Sequence, residues 1–259
     1  MNIDALRVPI PRSITKSAPA VFPVLGVQID ALEGYEQAKA IARESIRERK
    51  KTFCVAINPE KIHRATLDKR LSQALEQANL RICDGVGAAL AIRILHGQKV
   101  ARCTGVDLFL QLVEAAAEQG WKVFFLGASE ESNEKTVLKL RQRYPDLQVV
   151  GQQHGFFASA EDVVARINAV RADLLFVAMG SPRQEFWIHE HLDKLTTPFC
   201  MGVGGSFDVV SGKATRAPFV FRKTGSEWLY RLLSNPARVR RQLALPKFAL
   251  QVLRARLAA

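Results

Sequence analysis

The eleven residues LRICDGVGAAL (80–90) contain a complete transition from a predicted strand to a predicted helix. Residues 80–83 form a short, mainly apolar run, Asp84 and Gly85 follow it, and small apolar residues continue at helical spacing. Short apolar runs bounded by turn residues are typical of buried strands. The stretch therefore predicts one strand–loop–helix unit, with a carboxylate at the exit of the strand.

The same alternation of short apolar runs and helix-period segments extends along most of the chain. Predicted strands cover residues 24–29, 52–57, 80–83, 122–126, 147–150, 173–179 and 199–203. Predicted helices cover residues 34–50, 59–78, 86–96, 105–119, 130–143, 160–171 and 182–195. Apolar strands separated by single helices favour a mainly parallel sheet with helices on both faces. We therefore expect an α/β core at 21–210, preceded by an irregular lead-in at 1–20.

The positive charge of the chain is concentrated near its C-terminus. The 259 residues are 48% hydrophobic and 24% charged, which is typical of a soluble globular protein. Residues 209–259 contain eleven lysines and arginines against the single acid Glu227, so most of the net charge of +12 lies there. Because Pro236 and Pro246 interrupt its helical composition, we expect a basic appendage of two or three short helices at 211–259. Such a segment favours a polyanionic partner, namely an anionic bilayer, a diphosphate or a nucleic acid.

The cysteines and the apolar segments favour a cytoplasmic protein. Cys54, Cys83, Cys103 and Cys200 are scattered and form no CxxC pair, which predicts reduced, buried thiols. The sequence has neither a signal-peptide pattern nor a run of about 18 apolar residues that could span a bilayer.

Polar residues at the strand exits are the candidates for function, because ligands of parallel sheets collect in the loops after the strands. Asn58 precedes Pro59 and fits the N-cap of the next helix as well as a contact to a ligand. Asp84 fits either a helix cap or a general base, since an acid near apolar side chains can be tuned for proton transfer. The residue pattern leaves both alternatives open at both positions.

Two further helix starts carry polar residues with more than one interpretation. Thr104 fits an N-cap, and Arg102 precedes it at a position where backbone N–H groups favour an anion such as a phosphate. The pattern S-P-x-Q, which begins at Ser181, predicts a capping box with proline at the first helical position. That capping box would explain the glutamine at position 184 by a structural role, without a role in catalysis.

The stretch GVGGSFD (202–208) predicts a ligand-binding loop, because its glycines let backbone approach a ligand and Asp208 can accept hydrogen bonds. The sequence has no G-x-G-x-x-G fingerprint, no phosphate-binding P-loop and no G-x-S-x-G motif. Hydride transfer and ATP hydrolysis are therefore disfavoured. No metal site is predicted, because His189 and His191 are two residues apart on different helix faces and no DxD pair is present.

Seven motifs occur along the chain in a characteristic order: INPEK, DGVG, RCTGVD, FFLGASEE, VAMGSPRQEFWI, GVGGSFDVVSGKATRAP and GSEWLYRLLSNPARVRRQL. In this order they resemble the WecG/TagA/CpsF glycosyltransferases, over roughly residues 24–245. The resemblance implies a Rossmann-like core with a C-terminal helical appendage. It also implies transfer of a sugar from a UDP-sugar to a saccharide on a polyprenyl diphosphate, with inversion. Because no DxD pair is present, we expect the transfer to need neither a metal nor a cofactor. Such an enzyme would act in surface or exopolysaccharide synthesis. The basic, amphipathic appendage predicts that it binds peripherally to the inner face of the cell membrane.

The resemblance also implies roles for individual residues. Asp84 is expected to be the general base, and Asn58 to lie near the acceptor hydroxyl. Arg102 and Gln184 are expected to complete the catalytic set. Contacts to the UDP-sugar are expected from Gly127, Gly180, Gly204, Gly205, Asp208, Arg231, Arg238 and Arg241. Ala56 stands where some relatives have threonine, so the sequence does not decide whether the transferred sugar is of the glucose or the N-acetylmannosamine type. The sequence also leaves open whether the protein is a homo-oligomer.

Two other classes of function are compatible with part of the sequence. A catalytically inactive UDP-sugar-binding scaffold of a polysaccharide assembly complex would keep the same fold. A nucleic-acid-binding module would use the basic appendage, but it needs aromatic residues that stack on bases. Because Trp228 and Tyr230 lie beside apolar leucines, we interpret them as packing residues and expect no nucleic-acid partner.

Overall fold

One sheet of eight strands organises the protein. The computed structural model describes residues 18–234 and 243–258. The strands are β1 (Ala20–Val24), β2 (Val27–Ala31), β3 (Thr52–Ile57), β4 (Leu80–Cys83), β5 (Lys122–Gly127), β6 (Gln148–Gln153), β7 (Leu174–Ala178) and β8 (Phe199–Gly202). Their order is β1-β2-β4-β3-β8-β7-β5-β6, and only the β1–β2 pair is antiparallel among these strands. The predicted mainly parallel sheet is confirmed.

Helices cover both faces of the sheet, as predicted. They are α1 (Tyr35–Glu48), α2 (Pro59–Ala65), α3 (Lys69–Glu76), α4 (Val86–His96), α5 (Gly105–Gln119), α6 (Glu130–Arg143), α7 (Ala160–Ala169), α8 (Arg183–His191), α9 (Ser206–Ser211), α10 (Phe219–Lys223), α11 (Glu227–Ser234) and α12 (Ala244–Leu257). The central strand β3 is buried along its whole length. Phe53 and Val55 contribute to one apolar core and Cys54 and Ala56 to the other, because successive side chains of a strand point to opposite faces.

Two predicted elements were wrong in their boundaries. The predicted strand 24–29 is the centre of a hairpin, because Leu25 and Gly26 adopt positive φ angles of 50° and 86° and turn the chain between β1 and β2. The predicted helix 59–78 is divided into α2 and α3, and Asp68 caps α3 by accepting a hydrogen bond from the backbone N–H of Leu71 (3.1 Å). Most of the predicted lead-in, at 1–17, lies outside the described residues.

The last helix packs against the core. Phe248 and Val252 of α12 are buried in the same apolar core as α2 and α4, and His63 Nδ1 lies 2.8 Å from Gln251 Oε1. Pro246 lies in the first turn of α12, where proline is tolerated, while Pro236 lies outside the described residues. Within 18–234 and 243–258, no helix combines the length and the apolarity needed to cross a bilayer. The division into a core and an appendage at about residue 210 stays a prediction.

Candidate active site

The carboxyl ends of four neighbouring strands surround a polar cavity of about 480 Å³. Asn58 follows β3, Asp84 follows β4, Gly180 follows β7 and Gly204 follows β8, and all four residues line this cavity. The four strands are adjacent in the order β4-β3-β8-β7. The structure therefore brings together at one edge of the sheet the loops that the sequence analysis selected.

Asn58 caps the helix α2 and also lines the polar cavity. Its side-chain oxygen Oδ1 accepts a hydrogen bond from the backbone N–H of Lys61 (2.9 Å), and Pro59 is the first residue of α2, so the predicted N-cap is confirmed. The same side chain lines the polar cavity. Because the cap occupies Oδ1, the amide nitrogen Nδ2 is the donor that Asn58 can offer to a ligand.

The alternative of Asp84 as a helix cap is wrong. The N-cap position of α4 is held by Gly85, with a φ of 98°, and not by Asp84. The backbone N–H of Asp84 donates to the carbonyl of Ile57 (2.8 Å), which extends the β3–β4 pairing by one residue. This bond holds the half-buried Asp84 at the boundary of the polar cavity and of a second cavity, described below.

The start of α5 lies against the Asp84 carboxylate. A Cβ on Gly105, the first residue of α5, would lie 3.9 Å from Asp84 Oδ2 and 3.1 Å from the Cβ of Ala56. Glycine therefore allows the helix start to approach the carboxylate closely. The N-terminus of a helix carries partial positive charge, which favours a negatively charged carboxylate at this position.

The thiols on either side of this carboxylate stay protonated at neutral pH. Burial raises the pKa of Cys83 to about 12 and that of Cys103 to about 11, and the negative charge of Asp84 adds to both shifts. All four cysteines are buried, as predicted. A cysteine nucleophile needs a lowered pKa, so the raised pKa values disfavour Cys83 and Cys103 as nucleophiles.

The second cavity, of about 560 Å³, is mainly apolar and shares a wall with the polar one. The five residues that line both cavities are Asn58, Glu60, Asp84, Thr104 and Glu227. Arg102 lines only the apolar cavity of the two. Gly225, with a φ of 72°, lies close to Arg102. A Cβ on Gly225 would lie 3.3 Å from Arg102 Nη1 and 1.9 Å from Val86 Cγ2. The segment before α11 therefore closes over Arg102 only because it has glycine at this position.

Gln184 positions the glycine loop after β8. Its Oε1 accepts a hydrogen bond from the backbone N–H of Gly204 (2.9 Å), and its Nε2 donates to Glu185 Oε1 (3.0 Å). The predicted capping box at Ser181 is wrong, because α8 begins at Arg183 without a side-chain cap. Gln184 is buried and also lines the polar cavity, so it acts on the shape of that cavity.

A buried ion pair beneath Gln184 was missed by the sequence analysis. Lys61 Nζ lies 2.7 Å from Glu185 Oε1 and donates to the carbonyl of Ala56 (2.8 Å), and the two side chains are 5% and 0% exposed. Burial alone would raise the pKa of the Glu185 carboxyl, but the Lys61 ammonium and the surrounding hydrogen bonds outweigh it and lower that pKa. The pair connects α2, next to Asn58, with the loop that Gln184 holds. Lys61 and Glu185 lie in the INPEK and PRQE motifs, but no spacing rule relates positions 124 residues apart.

Thr104 caps α5, as predicted, and belongs to a polar cluster beside the cavity. Its Oγ1 accepts from the backbone N–H of Asp107 (3.3 Å) and donates to Asp107 Oδ2 (2.6 Å), while its own N–H donates to the hydroxyl of Tyr35 (3.0 Å). Asp107 also pairs with Arg216, which lines the polar cavity. The cluster thereby holds one guanidinium at the wall of the cavity.

The remaining predicted donor contacts differ in position. Gly205 and Asp208 line the polar cavity, and Asp208 Oδ1 accepts a hydrogen bond from Ser132 Oγ (2.8 Å). Gly127 lines neither cavity, and its missing side chain instead leaves room for the backbone of Ala178, which a Cβ would meet at 2.5 Å. The structure therefore assigns Gly127 a packing role between β5 and β7. Of the predicted arginines, Arg238, Arg241 and the side chain of Arg231 lie outside the described residues.

Comparison with known proteins identifies the family of the chain. The model of the Glycosyl transferase WecG/TagA/CpsF family matches residues 22–259. The chain belongs to this family. It is therefore a glycosyltransferase. An N-acetylglucosaminyldiphosphoundecaprenol N-acetyl-beta-D-mannosaminyltransferase from Bacillus spizizenii is 36% identical over 79% of this chain and 80% of that protein. A protein of the same name from Staphylococcus aureus is 34% identical over 93% of this chain and 95% of that protein.

Proposed function

We propose that this family member transfers a hexose, of the N-acetylmannosamine or glucose type, from a UDP-sugar to a saccharide on a polyprenyl diphosphate. The observation that carries the proposal is the position of Asp84 in the wall between a polar and an apolar cavity. A nucleotide sugar fits a polar cavity, and a saccharide attached to a lipid needs an approach from an apolar side. The names of the two relatives support the lipid-linked acceptor.

In the proposed reaction Asp84 accepts the proton of the acceptor hydroxyl. The hydroxyl oxygen forms a bond to the anomeric carbon of the donor, and the bond from that carbon to the diphosphate oxygen breaks. The electron pair of the broken bond leaves with UDP. Displacement from an α-linked donor inverts the configuration and gives a β-linked product, which agrees with the β configuration in the names of the relatives.

Positive groups around the polar cavity support the departure of UDP. Arg216 and Lys213 line the cavity, and the backbone of Gly204 and Gly205 can approach the phosphates. Stabilising the charge that grows on a leaving group is commonly the largest contribution to catalysis. We assign the same task to Arg231, Arg238 and Arg241 on the basis of the family resemblance.

A panel of donors tests the proposed function. Purified protein is incubated with N-acetylglucosaminyl-diphosphoundecaprenol and, one at a time, UDP-N-acetylmannosamine, its uronic acid form and UDP-glucose. We expect one donor to exceed the others in kcat/KM by roughly 10- to 200-fold, because a few pocket contacts decide the specificity. The mass of the lipid product identifies the sugar. Absence of transfer from all three donors would contradict the proposal.

The same assay tests whether the reaction depends on a metal. Within 18–234 and 243–258, no three His, Cys, Asp or Glu residues lie close enough together to hold a metal ion. We propose that cationic side chains stabilise the diphosphate instead, so transfer should continue unchanged in EDTA. An activity that is lost in EDTA and restored by magnesium or manganese would disprove this part of the proposal.

We propose that the C-terminal segment also binds an anionic membrane surface. The helix α12 carries the exposed basic residues Arg254 and Arg256 next to exposed leucines, a composition typical of helices that lie on a bilayer. Each basic residue near an anionic surface contributes about 1 kcal/mol. The Arg254→Glu/Arg256→Glu variant should therefore bind vesicles of phosphatidylglycerol clearly more weakly in co-sedimentation, and high salt should weaken the wild type.

A matched control separates this local effect from net charge. The Arg43→Glu/Arg47→Glu variant makes the same change of charge on exposed positions of α1. It should bind the vesicles nearly as well as the wild type does. Equal losses in both variants would mean that net charge alone, not α12, causes the binding.

A further inference from the structure

The apolar cavity is lined not only by Asp84 and Arg102 but also by two helices, α4 and α12, to which the proposed sugar transfer assigns no role. One wall is formed by Val86, Leu90 and Ile94 of α4, and the other by Phe248 and Leu253 of α12. The helices are held together by Phe248 and Val252, which are buried in the core. The cavity is therefore a concave groove between two docked helices and not a flat apolar surface.

The groove opens to solvent between exposed apolar side chains, whereas most exposed side chains of a protein are polar. Leu90 is 50% exposed and Leu253 is 53% exposed, and both line the cavity. Contiguous exposed apolar side chains around a concave site mark a binding groove for an apolar ligand. Asp84 lies where the apolar cavity meets the polar one, and Arg102 lines the apolar cavity.

We propose that this groove binds the first isoprene units of the acceptor lipid, directly beside its diphosphate. The inference rests on the proposed function and adds a binding site for the lipid chain itself. Arg102 provides positive charge for the diphosphate at the position where the apolar wall begins, and Asp84 is shared with the donor cavity. An acceptor in this position extends from the lipid in the groove, past Arg102, to a sugar hydroxyl at Asp84. The concave shape favours an inserted chain over simple contact with the bilayer surface.

The test uses acceptors short enough to dissolve without detergent or vesicles. They carry the same N-acetylglucosaminyl diphosphate on a methyl group, on a ten-carbon prenyl group or on a fifteen-carbon prenyl group. Each buried CH₂ group corresponds to about fourfold in affinity. We expect KM to fall at least about tenfold from the methyl to the ten-carbon acceptor, because part of this gain is lost in ordering the chain. The fall should then level off as the groove fills.

A pair of variants assigns the effect to the groove. Leu90→Gln makes its mouth polar, while Leu138→Gln makes the same change on α6, where Leu138 is 58% exposed and lines neither cavity. We compare the KM of the methyl acceptor, divided by the KM of the fifteen-carbon acceptor, between the variants. Leu90→Gln should reduce this ratio at least about threefold, and Leu138→Gln should leave it unchanged. This ratio is insensitive to a partial loss of folded protein, because such a loss lowers the apparent kcat and not KM.

The outcomes distinguish the groove from the membrane and from the proposed function. A KM that is independent of chain length in solution would overturn the groove proposal. Dependence on chain length only after vesicles are added would also overturn it, and would assign the lipid chain to the bilayer. Failure of every acceptor with every UDP-sugar would instead disprove the proposed function.

Discussion

Asp84→Asn is expected to lower kcat by about 10²- to 10⁴-fold, which is the usual contribution of a general base. Asparagine keeps the shape of the side chain and the backbone bond from residue 84 to Ile57, but it cannot accept the acceptor proton. UDP-sugar binding should be retained, since the predicted donor contacts come from other loops. The measurement combines single-turnover kinetics with calorimetric titration of UDP.

The matched control is Asp68→Asn at the N-cap of α3. Asp68 caps α3 through the backbone N–H of Leu71 and lines neither cavity. Asparagine serves as an N-cap about as well as aspartate does. This variant should keep the wild-type kcat and a closely similar free energy of unfolding. Near-normal turnover by Asp84→Asn would remove Asp84 from the mechanism, whereas loss of UDP binding would assign it to the donor site instead.

The sequence predicted the sheet and the edge that carries the site because these depend on local chemistry. The Asn58–Pro59 start of α2 and the Thr104 cap of α5 are short patterns that fix where helices begin. Fully apolar strands between helices favour a mainly parallel sheet, and the carboxyl ends of parallel strands lie at the same edge. The convergence of Asn58, Asp84, Gly180 and Gly204 follows from that topology.

Two features that the sequence analysis assigned wrongly or missed involve side chains whose partners lie far away in the sequence. The local pattern offered Gln184 a capping role, but its amide binds the backbone of Gly204, which is 20 residues away. The Lys61–Glu185 pair could not be predicted either, because the periodicity of one sequence carries no information about a contact between α2 and α8. At Leu25 a positive φ turns the chain, and leucine rarely adopts that conformation.

The second large effect is expected from breaking the buried pair. Glu185→Ala leaves the Lys61 ammonium buried without its carboxylate, and removing one partner of a buried pair costs about 3–5 kcal/mol in the free energy of unfolding. It also removes the acceptor for the Nε2 of Gln184. The free energy is measured by urea denaturation followed by circular dichroism.

The double variant Lys61→Met/Glu185→Gln separates the pair from its surroundings. Replacing both charges by uncharged groups of similar size avoids an isolated buried charge, so this variant should be more stable than Glu185→Ala. A double variant that is no more stable would mean that the side chains stabilise the fold individually and not as a pair. The donor KM of Glu185→Ala should rise more than kcat falls, because the pair supports the Gly204 loop and not the reacting hydroxyl.

The pH dependence of stability provides an independent check on the pair. The folded-state pKa of Glu185 is lowered from its ordinary value of 4.5, so its ionised form stabilises the fold fully above that pH. This contribution is lost as the pH falls through the folded-state pKa, since the carboxylate must then be protonated. The wild type should accordingly lose more stability on acidification below pH 4.5 than Lys61→Met/Glu185→Gln does. Parallel acid unfolding curves for the two proteins would show that Lys61 does not hold the Glu185 carboxyl in its ionised form.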